Sequence, residues 1–414
     1  MNKKPRILFT TPVLQYPAVG GPFLRIENSI KALSQISNLT IYCRTPVSRA
    51  EIDYYKSWCD FFFISPSATN LKWTEKKINS IFRLLFKLTH FSVFNEKNDE
   101  EYLLDIIRMI KPDIIWLGYG NISYPLVKFL KEKTSLPVVC DTDSVWSRFI
   151  LRGIPYLTDP IQIKEITHKG KEKEEEEQWG TQLADITTAV SEIDADYYRK
   201  HAKKPDQIKV FSNVIDLNNY KLIPPKIMNF HHPCIYLAGT FWENSPMEES
   251  ARWVIDKILP LIKKEIPNIH LYIIGNNSNK ILEDIKDPSI TITGMLPIVL
   301  PYLCHADVAI VPLKFESGTR FKILEAGACK IPVVSTTLGA EGIPVTHEID
   351  ILIADEPDSF SRAIISLISN PEYAKKIGNK LHSLIAEKYD IPALINEGRE
   401  IIESISNMKK KIND

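Results

Sequence analysis

The segment from Val308 to Gly342, VAIVPLKFESGTRFKILEAGACKIPVVSTTLGAEG, constrains the fold more tightly than any other stretch of the chain. VAIVP is a short apolar run ended by Pro312, and Glu316-Ser317-Gly318-Thr319 has turn chemistry. Phe321 to Cys329 reads as a helix with Ile323, Leu324, Ala326 and Ala328 apolar, and Pro332 stops it. Pro332 to Ser335 is then the next buried strand. Strand, glycine turn, helix and strand make a βαβ half-unit. In open parallel sheets, ligands bind where such a turn follows the carboxyl end of a strand.

The charges around that turn run against a local rule. Arg320 and Lys322 stand at the start of the helix, where the macrodipole already disfavours cations. A bound anion, most simply a diphosphate, would resolve the conflict by joining the free N–H groups and both cations. Glu325 lies one turn deeper on the same side, placed to accept hydrogen bonds from two neighbouring sugar hydroxyls. The alternative is a solvated helix end with a Lys322–Glu325 ion pair, and the residues alone leave both readings open.

The run SGTRFKILEAGACKIPVVSTTLGAEGI resembles the donor-binding signature of family 4 glycosyltransferases, retaining enzymes of the GT-B fold. The resemblance implies that Glu325 contacts the ribose of a nucleotide-sugar and that Ser317, Gly318 and Thr319 face its diphosphate and sugar. Many members carry a second glutamate where this chain has Ser317; Glu316 is one residue off and does not inherit that role. The departure is similar to a subgroup whose turn reads G-x-G-T-R-x-K-x-L-E-A, matched here at Gly318, Thr319, Arg320, Lys322, Leu324, Glu325 and Ala326.

A length of 414 residues accommodates two domains, and 44% hydrophobic with 25% charged residues is a globular composition. The formal net charge is zero, so no global basic field points to nucleic acid. No apolar run reaches the length of a membrane span, and ILFTT after the basic amino terminus is too short for a signal-peptide core. The six cysteines are scattered with no CxxC pair, which reads as buried reduced thiols.

Arg6 to Thr10 opens the chain as a buried strand, followed by a loop with Gly20-Gly21 and a helix from Phe23 to Ile36. No GxGxxG or P-loop lysine is present. The family resemblance implies that Gly20 and Gly21 reach toward donor phosphates with Arg25 behind them; the alternative is a plain strand–helix turn. Leu71 to Phe91 reads as a basic amphipathic helix, suited either to packing on a sheet or to an anionic bilayer surface. Further short strands alternate with helical segments, which predicts a doubly wound parallel sheet. HKGKEKEEEEQ, residues 168–178, reads as the wet face of a long helix.

Asp141-Thr142-Asp143 has the spacing of a metal-binding DxD, but two carboxylates are few ligands and no metal is expected. The resemblance implies that Asp141 or Asp143 holds sugar hydroxyls or an acceptor hydroxyl; the alternative is that Asp143 and Ser144 cap the next helix. Residues 221–233 read as a linker, and His231-His232 lacks partners at zinc-site spacing. Gly239-Thr240 resembles the family's first carboxyl-domain loop, where backbone N–H groups face phosphates. Gly294, in TGML, matches the loop that accepts the nucleobase.

The expectation is an α/β protein of GT-B type, two Rossmann-like doubly wound parallel-sheet domains facing across a cleft. Residues 1–225, with 391–414 packing back, form the acceptor-side domain; residues 226–390 form the donor-side domain. The expected reaction transfers a hexosyl group with retention from a UDP- or GDP-sugar to a glycan, lipid-linked or other hydroxyl acceptor, without metal or cofactor. Arg320 and Lys322 would stabilise the leaving diphosphate. Family habit adds surface polysaccharide, glycolipid or glycoconjugate assembly; the expected location is the cytoplasm, with peripheral membrane contact as the second reading of the 71–91 helix, and the zero net charge gives no nucleic-acid partner. Rival readings are a nucleotide-sugar epimerase and a nucleotide-sugar-binding partner without catalysis.

Overall fold

Short, mostly apolar strands of two to six residues build two sheets in this computed structural model, which describes residues 4–68 and 99–413. The amphipathic helix expected over residues 71–91 lies outside the described residues. The first sheet comprises β1 (Arg6–Thr11), β2 (Asn38–Cys43), β3 (Phe61–Ile64), β4 (Ile114–Gly118), β5 (Val138–Asp141), β6 (Ile186–Ala189) and β7 (Ile208–Val210). Its order is β3-β2-β1-β4-β5-β6-β7. The second comprises β8 (Cys234–Ala238), β9 (His270–Ile274), β10 (Ile290–Ile292), β11 (Val308–Val311), β12 (Val333–Ser335) and β13 (Leu352–Ile353), in the order β10-β9-β8-β11-β12-β13. Both orders reverse direction beside their first strand, the doubly wound pattern that places ligands at the reversal.

The described chain divides into two compact units. One holds Met1–Thr142, Leu183–Thr187 and Gly398–Asp414; the other holds Asp143–Gln182 and Thr188–Glu397. In the first unit β1 pairs in parallel with β2 and β4. Ile7, Leu8 and Phe9 are fully buried, as strands covered on both faces require. In the second unit β8 pairs in parallel with β9 and β11, and β11 with β12. Its core includes Ile235, Leu237, Leu271, Ile273, Ile310, Leu324 and Val334.

The charge run of residues 168–178 does lie in a helix, Pro160–Leu183, but its face is not wholly wet. Glu177 is fully buried, where its carboxylate accepts bonds from the Ser147 N–H (3.1 Å), the Ser147 hydroxyl (2.5 Å) and the Tyr197 hydroxyl (2.7 Å). Three donors offset the cost of burying that charge. The cysteines form no disulfide, and only Cys43, Cys140 and Cys234 are buried. Among the described residues no helix is long and apolar enough to cross a membrane.

Candidate active site

Strand β11 is buried at all four positions and delivers the chain to a loop at the sheet's reversal point, between β8 and β11. Gly318 turns that loop with φ +81°, and a Cβ there would lie 2.9 Å from both the Asp143 carbonyl oxygen and the Ser144 Cβ. Both left-handed backbone and close approach therefore require glycine. Two side chains fasten the loop. The Ser317 hydroxyl accepts the Val145 N–H at 3.2 Å, and the Thr319 hydroxyl donates to the Val190 carbonyl at 3.2 Å. Ser317 and Thr319 are buried, so in this arrangement their side chains tie the turn down.

Arg320 is the N-cap of the helix Phe321–Ala328, and no side chain caps the helix. Arg320 as a whole is 4% exposed. Nη2 donates to the Leu338 carbonyl at 3.1 Å, whereas Nε and Nη1 are buried with no hydrogen-bond partner. Unmet buried N–H groups on a cation are costly, and they are the donors an anion would engage. Burial holds the Arg320 pKa below its usual value, against the opposing pull of Glu316, Glu341 and Asp194. Lys322, half-buried, makes no hydrogen bond or ion pair among the described residues. Its pKa is also lowered, mainly by burial.

Glu325 does not pair with Lys322. It accepts a bond from the Tyr220 hydroxyl at 3.2 Å, and burial raises its carboxyl pKa, with Tyr220 and Lys322 opposing. Tyr220 thus orients the carboxylate from a 3-10 turn, Leu217–Tyr220. Replacing Tyr220 with phenylalanine removes one hydrogen bond to Glu325. The expected cost is about 1 kcal/mol in unfolding free energy, read by urea denaturation. Unchanged stability would show that the Tyr220–Glu325 bond contributes nothing to the fold.

Behind Arg320 lies a set of charges that the sequence reading did not bring together. Arg152 holds Glu341 by two bonds of 2.8 Å and also donates to the Glu316 carbonyl at 2.8 Å. Arg148 donates to Asp194 at 3.0 Å. Asp194 is 2% exposed, and burial raises its carboxyl pKa to about 6 despite Arg148 and Arg320. With Asp194 and Glu341 bonded to Arg148 and Arg152, the loop presents Arg320 and Lys322 as its available positive charge. Glu316 opposes both cations, and burial raises its pKa too.

Asp194 also gives a pH prediction. The folded state keeps this proton up to about pH 6, whereas an unfolded chain releases it near the ordinary aspartate value of about 3.9. The folded pKa is raised, so the group's contribution to stability is greatest below the unfolded pKa and falls as pH climbs through 6. Asp194→Asn, which imitates the protonated form, should therefore raise unfolding free energy at pH 8 by about 2 kcal/mol more than at pH 4.5, read by urea denaturation. Equal destabilisation at both pH values would contradict this.

Gly239 and Thr240 follow β8, beside Gly275 and Gly294 at the ends of β9 and β10. Gly239 donates to the Ile274 carbonyl at 2.9 Å and Gly275 to the Gly294 carbonyl at 3.0 Å, which joins the three turns. Thr240 is exposed, and Ser245 caps the following helix, Pro246–Trp253. Arg252 on that helix is engaged with Glu248 and Asp284, so it brings no free charge to the Gly239 loop.

The other candidates sit as follows. Asp143 accepts the Trp146 indole N–H at 3.1 Å, within the segment that Gly318 approaches. In the first unit, Gly20 is exposed and caps the helix Gly21–Ile36 without a side-chain bond. Arg25 is buried and paired with the buried Asp141 carboxylate at the end of β5. Asp141 and Asp143 are thus bonded to different partners. His232, Cys234 and Asp307 gather within 4.8 Å of one another, a grouping that local spacing could not show. Protein donors already serve the Asp307 carboxylate there: it meets His232 Nδ1 at 2.8 Å and the Cys234 N–H at 2.7 Å.

Solved structures share this architecture over nearly the whole chain. Anabaena Alr3699/HepE in complex with UDP-glucose is 12% identical, with 97% of this chain and 100% of that chain covered and a TM-score of 0.65. Sucrose-phosphate synthase from Thermosynechococcus elongatus is 14% identical, with 97% and 100% covered and a TM-score of 0.69. At these identities the likeness shows the fold: the protein has the GT-B fold, two Rossmann-like parallel-sheet α/β domains.

Residues 232–370, which include β8 to β13 and the whole Arg320 loop, match the family model described as Glycosyl transferases group 1. An uncharacterized 44.6 kDa protein in the cps region of Klebsiella pneumoniae is 29% identical over 170 residues. That alignment covers 38% of this chain and 43% of the relative.

Proposed function

We propose that the protein is a glycosyltransferase that moves a hexosyl group from a nucleotide diphosphate sugar to a hydroxyl acceptor, with retention and without a metal ion. The single observation that carries this reading is Arg320. It is a buried cation at an uncapped helix start with two unpartnered donors, beside an unpaired Lys322, inside the segment that matches group 1 glycosyl transferases. A diphosphate supplies the oxygens those donors lack.

In this reading Arg320, Lys322 and the first N–H groups of the helix stabilise the charge that develops on the departing diphosphate. Glu325, oriented by Tyr220, takes the ribose hydroxyls. The turns at Gly239, Thr240 and Gly294 contribute backbone groups to phosphate and base, and Asp143, whose carbonyl lies against the Gly318 turn, is assigned to the sugar. Support for a UDP-sugar among the UDP- and GDP-sugar candidates comes from Anabaena Alr3699/HepE, whose structures hold UDP-glucose or UDP with glucose. The relative from a cps region supports a surface-polysaccharide setting.

The test is incubation with UDP- and GDP-hexoses in the presence of EDTA, with and without glycan or lipid-linked hydroxyl acceptors. Nucleoside diphosphate release is measured, and the anomeric configuration of the product is read by proton NMR. Acceptor-dependent release with retained configuration is expected. Release of a free epimeric sugar without acceptor, or no release from any donor that binds, would overturn the reading.

A further inference from the structure

We propose that Cys304 and Cys329 form a reversible thiol–disulfide modification site that reacts with small-molecule disulfides. The two sulfurs lie 3.3 Å apart and share a hydrogen bond. Both residues are partly exposed, unlike Cys43, Cys140 and Cys234. Cys304 follows the short helix Leu300–Leu303 and Cys329 follows the helix Phe321–Ala328, so each stands in a turn just past a helix end. A disulfide needs a sulfur separation near 2.05 Å, a further approach of about 1.2 Å. Terminal turns can supply that movement more readily than strand or mid-helix positions.

The chemistry of the pair has a direction. The contact with Cys329 lowers the Cys304 pKa and raises that of Cys329, so the first proton leaves Cys304. Elsewhere burial pushes the Cys43 thiol up to about 11 and those of Cys59 and Cys234 up to about 12. The thiolate is the nucleophile, so Cys304 reacts first. Its sulfur attacks oxidised glutathione, forms a mixed disulfide and expels one glutathione thiolate. Cys329 then gives up its proton, attacks the Cys304 sulfur and expels the second. Two protein thiols and one glutathione disulfide become one protein disulfide and two glutathione thiols. The ring so closed, from 304 to 329, contains Arg320, Lys322 and Glu325.

The experiment uses the full chain treated with excess oxidised glutathione at pH 8, quenched in acid and mapped by non-reducing peptide mass spectrometry. The native protein should yield a Cys304–Cys329 linked peptide, lose two titratable thiols and recover both in dithiothreitol. Cys329→Ser should stop at a glutathione adduct on Cys304, Cys304→Ser should give at most a slower adduct on Cys329, and neither should yield the linked peptide. Melting of each variant under reducing conditions confirms that it is folded. A linked peptide that forms only after urea unfolding, or adducts that accumulate on other cysteines while 304 and 329 stay free, would overturn the proposal.

Discussion

Arg320→Met should leave the unliganded protein at least as stable as the wild type while weakening nucleoside diphosphate binding about 100-fold, a loss of about 2.7 kcal/mol. The two effects separate because the guanidinium is buried with Nε and Nη1 unpartnered, so it incurs desolvation that its single bond to Leu338 does not offset. Replacing a buried charge with an apolar side chain of similar length is commonly neutral or stabilising when the neighbouring charges stay paired. Asp194 retains Arg148 and Glu341 retains Arg152, while Glu316, whose pKa burial already raises, keeps the field of Lys322. Calorimetry with UDP and GDP, alongside a melt without ligand, checks both halves. A variant that unfolds easily yet binds nucleotide normally would make Arg320 structural.

Gly275→Ala should destabilise the second unit by about 3–5 kcal/mol, the sum of backbone strain and overpacking. Gly275 has φ +138°, and a Cβ there would lie 1.7 Å from the Gly239 carbonyl oxygen. The clash is with backbone, so it cannot be relieved by a side-chain rotation. The β8 and β9 turns would have to separate, and with them Gly239 and Thr240. A fall in melting temperature together with weakened nucleotide affinity is expected. A variant as stable as the wild type would show that the two turns do not meet as described.

These two residues also mark what the sequence makes readable. The β11 loop, its helix and β12 are local: Pro312 and Pro332 bound them, the apolar spacing orients them, and the structure places them within a residue or two of expectation. The misplaced charges at 320 and 322 were visible for the same reason, since helix polarity is set by chain direction. What answers those charges was not visible. Arg152 meets Glu341 across 189 positions, and Tyr220 meets Glu325 across 105. No periodicity links such pairs. Asp194 acquires its raised pKa only from tertiary burial. Glu177 was hidden in a charge run whose average polarity pointed to solvent, because one buried carboxylate does not alter an average. The Asp141–Arg25 pair likewise spans 116 positions, beyond any local motif.

The central claim, a nucleoside diphosphate site on the Arg320 loop, is tested most directly by titrating UDP, GDP and ADP into wild-type and Arg320→Met protein, each with EDTA present. One nucleotide binding the wild type in EDTA, with about 100-fold weaker binding to the variant, is the predicted result. No binding of any of the three to the wild type, or equal binding to both proteins, would contradict it.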